Sequence, residues 1–243
     1  MKPSAPLALA ALIATVCVNG LGAQARSWTK DRPCGARLTQ AATHDAPEVG
    51  RGCKCATTAG NVRVCQCQTD SLRSVFLDPW GQARKTLWSE EGASMLFDSV
   101  EVLSGDLDGD GSVEIVVPIL MSSGNGMGVS YWSVLAVSPS GTGWYGDTVE
   151  VEDYNTNGSW VAPAGEKGCD LLETKWVWHY DASRGAGLYL TAAWLRFSSN
   201  DFEPRADRPI LRRRYLGSFE AERGRTATTT GPFSWLLSPQ AHP

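Results

Sequence analysis

The chain has 243 residues, of which 42% are apolar and 20% charged, and a formal net charge of −4. That length and balance suit a globular chain with a sizeable core and argue against disorder. The mild acidity gives no electrostatic basis for nucleic-acid binding. Ten Trp against three His make the composition rich in aromatics and poor in imidazole.

Lys2 precedes an apolar run from Leu7 to Val18, which Asn19-Gly20 breaks. The run is too short to cross a bilayer and has the length of a signal-peptide core. Ala23-Gln24-Ala25 supplies the small-x-small pattern of a cleavage site. Residues 1–25 are therefore expected to be an export signal, cleaved after Ala25. No later stretch reaches the roughly 20 apolar residues of a spanning helix. The mature chain is expected in the periplasm or outside the cell, with no membrane span.

Cleavage removes Cys17 and leaves Cys34, Cys53, Cys55, Cys65, Cys67 and Cys169. An even number in an exported chain reads as disulfides. Residues two apart on a strand share a face. If 51–69 form a hairpin turning near Ala59-Gly60-Asn61, Cys53 faces Cys67 and Cys55 faces Cys65, close enough to bridge. Cys34 and Cys169 then remain as a long-range staple. This is one of fifteen pairings that six cysteines allow. The alternative is a four-thiolate zinc site made by the two Cys-x-Cys pairs.

Residues 26–50 read as an irregular N-terminal arm, in which Ala41–Ala46 could form a short helical turn. Residues 51–243 read as a single β domain of short strands and turns. Leu72–Leu77 and Ala83–Trp88 flank Asp78-Pro79-Trp80-Gly81, a type I turn signature. Ser99–Leu103 is the next strand. Glu114–Leu120 is nearly all apolar, as in a strand buried on both faces. Tyr131–Val137, Thr148–Val151, Thr174–Tyr180, Leu188–Phe197 and Pro209–Phe219 follow, and Phe219–Arg223 could form a helical turn. No window keeps a helical apolar stripe for 12 residues. The expected fold is all-β, in antiparallel meander sheets of propeller-like or sandwich-like arrangement.

One motif carries chemistry: Gly105-Asp106-Leu107-Asp108-Gly109-Asp110-Gly111-Ser112-Val113-Glu114. Calcium takes six to eight oxygen ligands, and such a loop can wrap them round one ion. Asp106, Asp108 and Asp110 would offer side-chain oxygens, Ser112 its backbone carbonyl, and Glu114 a closing carboxylate. Gly111 permits the sharp turn. Four carboxylates this close repel one another by several kcal/mol in total at surface-like dielectric. A cation, Ca2+, is the expected cofactor. An EF-hand would need Glu at its twelfth position, where Val117 stands. The loop instead runs into Ile115-Val116-Val117-Pro118-Ile119-Leu120, as in a β-hairpin.

The sequence SVEVLSGDLDGDGSVEIVVPI, the Gly-rich SSGNGMG and YWSVLAVSPSGTGW together resemble a single FG-GAP or VCBS-type repeat spanning residues 99–144. The resemblance implies calcium between two strands of one blade, with Asp106, Asp108, Asp110, Ser112 and Glu114 as ligands. That family usually ends its loop with Asp, and Glu114 is longer. No second Asp-x-Asp-x-Asp-Gly occurs in the chain. Asp153-Tyr154-Asn155-Thr156-Asn157-Gly158 comes nearest, and its neutral amides favour an ordinary Asn-Gly turn.

Catalytic signatures such as Gly-x-Ser-x-Gly and His-Glu-x-x-His are absent. Gly124–Gly128 reads as a flexible hairpin loop. His179, between Trp178 and Tyr180, reads as a packed or surface residue. The Trp residues could build a sugar-stacking face, though sheet cores also consume Trp. The arginines from Arg205 to Arg225 could meet an anionic partner, but a solvated strand face or pairing with the acidic middle of the chain is the more ordinary reading. The expected function is that of an exported calcium-binding β domain with a binding or structural role. A glycan or an envelope protein is the class of partner considered. The alternative is an extracellular hydrolase, carbohydrate-active and holding calcium as a structural ion, whose two carboxylates would face each other across a cleft.

Overall fold

A computed structural model describes residues 32–34, 37–58, 61–69, 71–78, 84–91, 101–123, 129–140, 143–181, 185–208 and 210–214. The expected signal peptide, Gly124–Gly128 and Phe219–Arg223 lie outside them. The fold is all-β, in three antiparallel sheets that do not close into a barrel. The first sheet is a meander of β3 (Thr43–Asp45), β4 (Cys53–Thr57), β5 (Arg63–Gln68), β6 (Leu72–Leu77) and β7 (Lys85–Glu91). The central sheet runs β11 (Gly143–Glu152), β10 (Ser130–Ser140), β9 (Glu114–Ser123), β8 (Leu103–Gly105) and β2 (Thr39–Gln40). The third runs β1 (Arg32–Pro33), β12 (Trp160–Ala162), β13 (Asp170–Asp181), β14 (Gly185–Ser198) and β15 (Asp201–Pro204), with β16 (Leu211–Arg214) also on β14.

The central sheet is packed on both faces, and this explains the unbroken apolar run of β9. Successive strand residues point to opposite faces. Ile115, Val117 and Ile119, with Leu135 and Val137 of β10, pack against Ala56, Val64, Val75 and Leu77 of the first sheet. Val116, Val134 and Ala136 pack the other way, against Trp160, Leu171, Leu195 and Phe197 of the third sheet. Each buried aliphatic side chain contributes about 1.5–3 kcal/mol. Pro118 is tolerated in β9 because β8 pairs only with residues 114–116. At Pro118 the strand has a described partner on one side alone, β10, where a missing N–H is affordable.

The N-terminal arm is not irregular as expected. It lends one short strand to each sheet: β1 pairs with β12, β2 with β8 and β3 with β4. Thr43–Asp45 is strand and not a helical turn. Strands two or three residues long carry too little periodicity to be legible. The strand expected at Ser99–Leu103 begins at Leu103 among the described residues.

Cys53 pairs with Cys67 and Cys55 with Cys65, at Cα separations of 4.0 and 4.1 Å, and Cys34 pairs with Cys169. The hairpin register sets Cys53 opposite Cys67 and Cys55 opposite Cys65. These bonds consume all four Cys-x-Cys thiols, so the zinc alternative fails. Three disulfides fit an oxidising, exported location. Among the described residues no helix is long and apolar enough to cross a membrane.

Candidate metal centre

The acidic loop, residues 106–113, joins β8 to β9, and Gly105 opposite Glu114 is the last pair of that hairpin. Gly109 and Gly111 adopt φ of 86° and 94°, conformations that side-chain-bearing residues rarely hold. Backbone amides inside the loop aim its carboxylates. The Asp106 oxygens accept from Gly109 N–H at 2.7 Å and Gly111 N–H at 3.1 Å. Asp108 accepts from Asp110 N–H at 2.9 Å, and Asp110 from Ser112 N–H at 2.6 Å.

Oxygens of Asp106, Asp108 and Glu114 all lie within 4.8 Å of one another. Glu114 is fully buried. It accepts from Leu107 N–H at 2.6 Å and from the Ser112 hydroxyl at 2.5 Å. Burial pushes its carboxyl up, against those two hydrogen bonds. Burial also raises Asp108, and the charges of Asp110 and Asp106 add to the effect. Asp110 lies apart from these three carboxylates. Its side chain is exposed and outside the converging group, and its bond to Ser112 holds its carboxyl low.

The loop is clamped between two sheets, and the sequence carried no sign of this. Leu107 is fully buried in the same cluster as Cys34 and Cys169. Its carbonyl accepts from Cys169 N–H at 2.7 Å. A Cβ on Gly168 would stand 2.3 Å from that carbonyl oxygen, and one on Gly109 would stand 2.9 Å from Lys167 Cβ. Only glycines allow this approach. Arg37 donates to the carbonyls of Lys167 and Gly168 at 2.5 and 2.9 Å, binding the arm to the same segment.

Beside the clamp lies a charged cluster. Arg205 meets Glu166 and Asp170, each at 3.0 Å, and Arg196 reaches the same two carboxylates at 2.5 and 2.9 Å. The Arg205 guanidinium, with that of Arg196, brings Glu166 down to about 2. Arg208 lies over Trp194 at 5.2 Å and reaches Glu166. Of the alternatives the sequence left open for the arginines, Arg205 and Arg208 take intramolecular pairing. The second acidic candidate is spent otherwise. Asp153 accepts from Ser130 N–H at 3.0 Å and Trp176 Nε1–H at 3.1 Å. Thr156–Ser159 forms a helical turn, not the expected Asn-Gly turn. His179 packs edge-on against Tyr189, with ring centroids 5.7 Å apart. No family model, curated protein or solved structure matches the chain.

Proposed function

We propose that this protein is an exported, calcium-binding β domain that acts by binding or as a structural part. The observation that carries the reading is the convergence of Asp106, Asp108 and Glu114 within 4.8 Å at the tip of a hairpin. Three carboxylates this close repel without a cation, and an all-oxygen donor set suits a hard ion. Asp110 and the Ser112 carbonyl would complete the shell once the loop closes on the ion. The larger, less demanding coordination sphere of calcium suits a loop with an exposed fifth ligand better than the octahedron of magnesium does. Residues 99–144 act in this reading as one FG-GAP or VCBS-type unit, and residues 1–25 as the export signal.

Calcium here would stiffen the loop that holds the third sheet through Leu107 and Cys169. Titrating calcium chloride into chelator-treated protein in a calorimeter should show one ion per chain. Asp108→Ala should remove that heat. Equal heats from parent and variant would refute the site.

A further inference from the structure

The third sheet ends in an aromatic face with no described partner. Trp176, Trp178 and Tyr180 point to one face of β13, about 7 Å apart in sequence order. Trp178 is 75% exposed and Tyr180 70%. Among the described residues neither ring takes part in a hydrogen bond, ion pair or ring contact. Their cross-strand neighbours are Leu188 and Ala186. Trp176 is fixed at the root of the row. Its indole N–H donates to Asp153 at 3.1 Å and its backbone N–H to Glu152 at 2.5 Å.

We propose that this row is a stacking platform for a chain of neutral pyranose sugars. Each free ring offers an apolar face and one polar handle, an indole N–H or a phenol O–H. A pyranose offers the complement, an apolar C–H face rimmed by hydroxyls. Strand addition fits less well. Among the described residues β12 leaves β13 after Leu171, and along the open edge the N–H of Trp176 is taken by Glu152, whose carbonyl also accepts from the Thr174 hydroxyl. Beyond Trp176 the strand alternation leaves only Trp178 and Tyr180 with outward donors before β13 ends at Asp181, too few for a paired strand. Glu152 and Asp153 stand at the root and Arg212–Arg214 lie on β16 of the same sheet, so an anionic bilayer is tested as a separate arm. The platform names a ligand for the binding role proposed above and does not depend on the cation.

The test is retention of the whole protein on insoluble chitin, cellulose and mannan, with phosphatidylglycerol vesicles as a further arm. At least one polysaccharide should retain the parent. Trp178→Ala and Tyr180→Ala should each weaken retention about tenfold or more, Trp178→Phe much less, and Tyr145→Ala not at all. Asp108→Ala should still be retained, which separates this outcome from any failure of the calcium site. Retention by none of the three, equal retention of Trp178→Ala, or Trp178-dependent binding to vesicles alone would overturn the proposal.

Discussion

Glu114 shows how one buried side chain can serve both fold and site. Its oxygens hold Leu107 N–H and the Ser112 hydroxyl while facing Asp106 and Asp108. Glu114→Ala strands a buried amide, which costs about 1–3 kcal/mol even in chelator. Glu114→Gln keeps an acceptor there, so it should cost less in chelator and still lose the calcium response. Urea unfolding with and without calcium checks both, and an Ala variant as stable as the parent would contradict the assignment. Glu166 makes a pH-dependent contribution. Its folded value of about 2 lies below its usual 4.5. The stability it adds is therefore present above pH 4.5 and lost as pH falls through about 2. The stability gap between parent and Glu166→Gln should be constant near neutrality and close between those limits. A gap that persists at pH 2 would rule out the ion-pair account.

At the scale of elements, the Cys34–Cys169 bond spans 135 residues, against 14 and 10 for the two hairpin bonds. Loop-closure entropy then predicts a cost of about 5 kcal/mol for losing the long bond and about 3 kcal/mol for a hairpin bond. Paired Cys→Ala variants, compared by denaturant unfolding, test this order, and a costlier hairpin bond would reverse it. The hairpin pairs were legible because strand parity, with a turn near residues 59–61, sets Cys53 against Cys67 and Cys55 against Cys65. The carboxylate motif of the loop was legible for a similar reason, since its spacing is local. The clamp on that loop was not. It depends on Gly168 and Arg37, residues distant in sequence whose types carry no periodic signal.

For the whole molecule, the all-β class and the doubly buried β9 followed from alternation and from one apolar run. The stacking of the central sheet between two others did not, because strand patterns say which face is apolar and not what covers it. Nor did the arm, whose two- and three-residue strands join all three sheets. The Trp residues split between roles that composition could not separate. Trp160 and Trp194 are buried core, whereas Trp178 stands in solvent. The acidic loop sits where arm, central sheet and third sheet meet, so an ion there should stabilise the molecule as a whole. The most direct test is thermal unfolding in calcium and in chelator, for the parent and for Asp108→Ala. Calcium at about 100 times its dissociation constant should add about 2.7 kcal/mol and raise the parent's Tm by several degrees, with no shift in Asp108→Ala. Superimposable parent curves in calcium and chelator would contradict the account.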